Sequence, residues 1–183
     1  MRHPAIDLIN SFHMRGHPDR VDDDIANADW QRRFAKRWTD APLGDTEIGK
    51  LRVLRTALRG AVEELTKVST LSDDTLTRIN AFVQPRSERP LLKRAADGKL
   101  ELSVQATHVV APVEVIARAF QSLIVGDGAL RVKVCANPHC RWAFFDESRN
   151  RSRRWCDSSE CGNVMKARAF RAREASRDKD TPL

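Results

Sequence analysis

A chain of 183 residues with 41% hydrophobic content can form one ordinary domain and a small appendage, and it is too apolar to be disordered throughout. No apolar run approaches the roughly 18 residues of a membrane span, and the opening Met1-Arg-His-Pro-Ala-Ile-Asp7 lacks the apolar centre of a secretory signal. A soluble, cytoplasmic protein with no membrane partner is the expectation.

Residues 1–20 carry two prolines, three histidines and a short apolar stretch, Ile6 to Ile9, whose secondary structure the pattern leaves open. Asp22 to Trp38 reads as helix, with Ile25, Ala28, Phe34 and Trp38 inward, and Pro42 and Gly44 break it. A clearer helix is expected from Thr46 to Val68, where Ile48, Leu51, Leu54, Leu58, Val62 and Leu65 recur at the spacing of one buried face. Arg52, Arg55 and Arg59 then fall on a solvated face. Ser72 is a candidate N-cap for a third helix reaching Phe82, ended by Pro85. Leu91–Ala95 and Leu100–Gln105 flank Asp97-Gly98, the signature of a β-hairpin. After Pro112, the set Val113, Ile116, Ala117, Phe120 and Ile124 predicts a fourth helix, closed by Gly126-Asp-Gly128. Arg131 to Val134 is a short strand. The fold class expected is α+β: a mostly helical N-terminal domain with a β-hairpin, followed by a small cysteine-bearing module.

All four cysteines lie between positions 135 and 161. In a reducing compartment such clustering favours metal over disulfides. The pattern Cys135-x4-Cys140-x15-Cys156-x4-Cys161 lets each short pair supply two corners of a tetrahedron, with the loop between bringing the pairs together. Asn137-Pro138 suits a tight turn, and Cys161 precedes a helix-forming stretch, Lys166 to Arg173, whose dipole favours a thiolate. The arrangement is treble-clef-like. Four thiolates fill the coordination sphere of one zinc ion, so the metal is structural and leaves no open position. Two cysteine pairs without metal, or His139 as a replacement ligand, are the competing readings.

The net charge of +7 is uneven: residues 131–183 hold 13 Lys and Arg against 7 Asp and Glu, and residues 1–130 hold 19 against 18. Positive charge concentrated in one segment points to a polyanion, most often nucleic acid, though a solubilising tail explains it equally well. Arg149, Arg151, Arg153 and Arg154 lie between the cysteine pairs, and Lys166, Arg168, Arg171 and Arg173 lie beyond them. Together they are the candidate phosphate contacts. Some of them, Arg153 or Arg154 beside Trp155, are expected to counter the negative zinc–thiolate centre instead. Trp142, Phe144, Phe145 and Trp155 read as the small module's core rather than as stacking platforms. No nucleophile elbow, phosphate loop or open metal site marks an enzyme, and His3, His13, His17 and His108 form no recognisable spacing.

Cys135-Ala-Asn-Pro-His-Cys140, Phe145-Asp-Glu-Ser-Arg-Asn150, Ser152-Arg-Arg-Trp-Cys156 and Cys161-Gly-Asn163, continuing into Lys166–Arg173, resemble the CGNR zinc-finger family. Asp7-Leu-Ile-Asn-Ser11 is similar to the opening of the ABATE domain that precedes the finger in that family. Val164 stands where the family usually has arginine, which leaves no guanidinium for a phosphate at this position and leaves the zinc ligands untouched. The resemblance implies a bacterial transcription regulator of stress responses. It implies an ABATE-like sensor over 1–128, a CGNR-type finger over 129–175 and a flexible tail over 176–183. It also implies a small-molecule effector held near Asn10. A homodimer is expected of regulators in general. A module that binds protein or RNA, without sequence-specific DNA binding, is the alternative.

Overall fold

The computed structural model describes residues 2–13, 21–39, 41–84, 88–106 and 110–179. Helix α1 (Pro4–Ile9) starts at a proline whose fixed φ suits a first turn, and it buries Ala5, Leu8 and Ile9 completely. Strand β1 (Phe12–His13) pairs antiparallel with β2 (Asp22–Asp23). The helix expected from Asp22 starts only at Ala28, as α2 (Ala28–Trp38). The Asn27 side chain accepts from the amides of Asp29 (2.8 Å) and Trp30 (3.3 Å), and that cap sets the start, leaving Ala28 exposed.

The central element is α3 (Asp45–Val68), which buries Leu51, Leu54, Leu58, Val62 and Leu65 as the periodicity requires. Acids in its first turn and Lys67 in its last complement the dipole. The solvated face expected of its arginines holds only for Arg52. Arg55 is buried, donating to Ser11 Oγ (2.9 Å) and pairing with Asp23 Oδ1 (2.5 Å). Arg59 donates to the carbonyls of Ile9 (3.0 Å), Phe12 (3.2 Å) and Arg141 (2.6 Å). The physical reason is that the carbonyls of Ile9 and Phe12, left free after α1 ends, need donors, and α3 passes beneath them.

Helix α4 (Asp73–Asn80) is capped by Ser72, whose hydroxyl accepts from Thr75 N, and it ends two residues short of Phe82. The expected stop at Pro85 lies outside the described residues, as do His17 and His108. Strands β3 (Glu88–Arg94) and β4 (Leu100–Ala106) form the expected antiparallel hairpin, turning at Gly98 with φ of 85°. Helix α5 (Pro112–Ile124) buries Val113, Ile116, Ala117 and Phe120. At Gly128 the chain doubles back so closely that a Cβ would stand 1.9 Å from Leu123 O, so only glycine fits.

Strands β5 (Val132–Val134) and β6 (Ala143–Phe145) pair antiparallel and bracket the first two cysteines, and α6 (Asn163–Lys179) closes the module. This is an α+β chain, mostly helical, ending in a treble-clef-like unit. The β5–β6 hairpin does not stand apart: Val132 and Ala143 are 1% and 2% exposed and belong to the same apolar core as Leu58 and Phe120. Among the described residues no helix is long and apolar enough to cross a membrane.

Candidate metal centre and nucleic-acid interface

The knuckle between β5 and β6 is built by Asn137. Its carbonyl accepts from the amides of Cys140 (2.9 Å) and Arg141 (3.2 Å), and its side-chain oxygen accepts from His139 N (3.1 Å). Arg141 follows in a left-handed conformation with φ of 53°, and Cys135 N then reaches Trp142 O at 2.8 Å. Of the second pair, Cys161 sits on a π-helical turn, Ser158–Gly162, that runs directly into α6, and Cys156 lies just ahead of it. Asp157 caps it, accepting from Ser159 N (2.7 Å) and Glu160 N (3.0 Å). Gly162 packs against Trp155, whose ring carbon would lie 3.2 Å from a Cβ at this position.

These turns bring the Sγ atoms of Cys135, Cys140, Cys156 and Cys161 within 4.8 Å of one another, with His139 outside the group. A tetrahedral zinc with Zn–S bonds of about 2.3 Å requires S···S edges of about 3.8 Å. Cys140 and Cys156 stand 3.6 Å apart, and Cys156 and Cys161 3.8 Å. The four cysteines are free rather than disulfide-bonded, and three of them are buried. Thiol neighbours hold Cys135 low while pushing Cys140 and Cys156 up, so these groups resist sharing several negative charges unaided. A divalent cation removes that conflict. The donor set therefore fits one structural zinc ion held by Cys135, Cys140, Cys156 and Cys161. All coordination positions are filled by protein.

Around the thiolates lies a second layer of donors. Buried Asn137 directs Nδ2 at Cys161 Sγ (3.5 Å). Arg153 donates from Nε to Trp155 O (2.8 Å) and from its terminal nitrogen to Cys156 O, with its guanidinium 5.2 Å from the centroid of Phe144. Asp146, fully buried, binds Lys133 Nζ (2.8 Å), Arg153 N (2.9 Å) and Ser148 N (3.0 Å). Burial alone would push its carboxyl up, but those hydrogen bonds hold it well below the usual carboxylate range. Sequence pattern gave Asp146 no role. Its only signal was an acid in the Phe145-Asp-Glu-Ser run, and it organises the loop between the cysteine pairs.

The eight basic candidates divide by environment. Arg153 is committed as above, and Arg151, half-buried, lies 3.4 Å from Asp127 while its carbonyl accepts from Lys133. Arg149 is exposed, and exposed Arg154 lies over the Trp155 ring at 5.2 Å. Lys166, Arg168, Arg171 and Arg173 are all exposed along α6, and none forms an ion pair among the described residues. Trp142, Phe144 and Trp155 pack about the cysteines, whereas Phe145 joins the main core.

Asn10 lies at the seam between helical body and zinc module. Its side-chain oxygen accepts from Ala143 N (2.8 Å) and its Nδ2 donates to Ala143 O (2.9 Å), so it pairs with β6 as a strand would. Thr66 Oγ1 accepts from Val134 N (3.1 Å), and Arg141 pairs with Glu63 at 2.7 Å. Beside Asn10 is a cavity of about 410 Å³, lined partly by Trp30, Phe34, Trp38 and Trp142. Asp7 enters its wall, accepting from Trp38 Nε1 at 3.0 Å. Burial raises the Asp7 carboxyl against the opposing influence of Trp38, Arg37 and Arg2.

A helical body joined to a closed four-thiolate centre defines a zinc-finger protein whose metal is architectural. Residues 2–127 match the ABATE family, described as "Putative stress-induced transcription regulator", and residues 131–174 match the CGNR zinc finger. The chain belongs to the ABATE family and carries a CGNR zinc finger. No curated protein matches it.

Proposed function

We propose that this protein is a DNA-binding transcription regulator whose contact surface is α6 together with the exposed arginines of the loop between the cysteine pairs. The observation that carries this reading is the state of α6. Its side chains from Asn163 to Arg173 are exposed apart from a half-buried Met165, and it continues directly from the turn holding Cys161. A helix in a protein draws most of its stability from packing one face, and α6, about 25 Å long, leaves its faces open to a partner. Lys166, Arg168, Arg171 and Arg173 suit phosphates, and Arg149 and Arg154 extend the same charge from the loop. Arg151 and Arg153 serve by holding that loop in place. In this reading residues 1–128 sense an effector beside Asn10, residues 129–175 bind DNA as a homodimer, and 176–183 form a tail, although α6 continues to Lys179.

Duplex DNA affinity measured by fluorescence anisotropy should fall steeply with salt, at about 0.9 log units per phosphate neutralised. Arg168→Ala with Arg171→Ala should flatten that slope by up to about two units and leave zinc content unchanged. Absence of binding at low salt, or binding indifferent to salt, would replace this reading with a protein- or RNA-binding finger. Phe170, 57% exposed between Lys166 and Arg173 on one stripe of α6, would then be the natural anchor.

A further inference from the structure

The cavity beside Asn10 is built from both parts of the chain: α1 and α2 contribute Asp7, Trp30, Phe34 and Trp38, and the zinc module contributes Trp142. Trp30 and Phe34 stack one ring over the other at 4.6 Å with their planes 19° apart, and both line the cavity. Its volume of about 410 Å³ falls within the roughly 300–1,000 Å³ of small-molecule sites. Charge at the site is not balanced by accident of exposure. Asp7 is engaged by Trp38 and lies in the field of Arg37 and Arg2, and Asp24 faces His13 at 3.4 Å. Arg33 and Arg37, one helical turn apart on α2, line the same cavity, and neither forms an ion pair within 4.0 Å among the described residues. Asn10 supplies wall rather than recognition, because both polar atoms of its amide are used on Ala143. The groove between α3 and α4 is larger, about 590 Å³, and also holds two arginines, Arg52 and Arg78, but Phe82 is the one aromatic residue in its lining.

We propose that the cavity at the seam binds a small planar aromatic carboxylate, its ring against Trp30, Phe34, Trp38 and Trp142 and its carboxylate on the guanidinium groups of Arg33 and Arg37. Aromatic stacking and a fork of guanidinium donors are the two recognition elements such a molecule needs. This rests on the sensing role given above to residues 1–128, and it adds the ligand's chemistry and its contact with the zinc module. A molecule held there touches Trp142, two residues from Cys140, and therefore bridges α2 to the hairpin that carries the first zinc ligands.

The full-length zinc-loaded protein is titrated with 1-naphthoate, following tryptophan fluorescence and calorimetry, with 1-naphthamide and 1-naphthylmethylamine as neutral and cationic counterparts. The expected result is saturable binding of naphthoate at least tenfold tighter than either counterpart. Arg33→Gln with Arg37→Gln should weaken it at least tenfold, without shifting the melting temperature, while Lys67→Gln leaves it unchanged. Failure of naphthoate to bind at millimolar concentration, or equal binding of the amide or amine, overturns the proposal. Binding that obeys this pattern but leaves DNA affinity unmoved upholds the site and overturns its role in sensing.

Discussion

The helical body buries Leu8, Ile9, Ile25, Leu51, Leu54, Leu58, Ile116 and Phe120 completely. The zinc module's own cluster consists of Cys135, Cys140, Phe144 and Cys161, with Trp142, Trp155 and Cys156 partly covering it. At roughly 25 cal/mol per Å² of apolar area, the first set is enough to drive folding, whereas the second is not. The module therefore depends on metal, and on a seam where Val132 and Ala143 enter the body's core. Two regions with different sources of stability are joined by apolar contact and by the hydrogen bonds of Asn10, Arg59 and Thr66.

The largest expected effect tests the difference itself. Structural zinc contributes on the order of 10–16 kcal/mol of apparent binding free energy to small modules. Cys156→Ser should abolish stoichiometric zinc, expose the remaining thiols to alkylation and make residues 131–174 sensitive to protease. Circular dichroism should retain most of the signal of α2, α3 and α5, with a lower melting temperature because Val132 and Ala143 leave the core. Retention of zinc by the variant would break the four-cysteine assignment. Complete loss of helix would show that body and module fold as one unit.

A smaller effect sharpens the seam. Asn10→Ala leaves the amide and carbonyl of Ala143 without their partners, and an unsatisfied buried polar group costs about 1–3 kcal/mol. Chemical denaturation should show a loss of about 2 kcal/mol with one zinc per chain still bound. A loss under about 0.5 kcal/mol would mean that apolar contact alone holds the two regions together.

Much of this was readable from residues, because the strongest signals are local. The face of α3, the Ser72 cap, the Asp97-Gly98 turn and the cysteine spacing each encode structure over a few positions. What was not readable depends on partners far apart in sequence. Arg55 and Arg59 look solvated by helical spacing and are drawn in by Asp23, Ser11 and the carbonyls after α1. Asn10 and Ala143 lie 133 residues apart, so no pattern within either segment announces their pairing. The start of α2 failed for a different reason. Apolar periodicity ran back through Ile25, which is buried in a 3-10 turn, and Asn27 was the cap that marked the true start.

The smallest effect concerns the charge that the body keeps inside. Arg55 is about a tenth exposed and pairs with Asp23, whose side chain is 32% exposed. Burial would raise the Asp23 carboxyl, but the hydrogen bond and charge of Arg55, the charge of Arg52 and the Ile25 amide together hold it below its ordinary value of 3.8. A carboxyl depressed in the folded state contributes stability above its unfolded pKa and loses it as pH falls through the folded value. Asp23→Asn keeps the shape and removes the charge, leaving Arg55 without its counterion. Solvent at Asp23 screens the pair, so the variant should be less stable by about 1 kcal/mol at neutral pH. That difference should shrink as pH drops below about 4, where the unfolded carboxyl takes up its proton first, and disappear below the depressed folded value. Both proteins carry the same zinc centre, so acid loss of metal cancels in the comparison. Urea unfolding of the two chains from pH 3 to pH 7 gives the difference directly, and a gap that stays constant across that range would show that it does not come from the carboxylate charge.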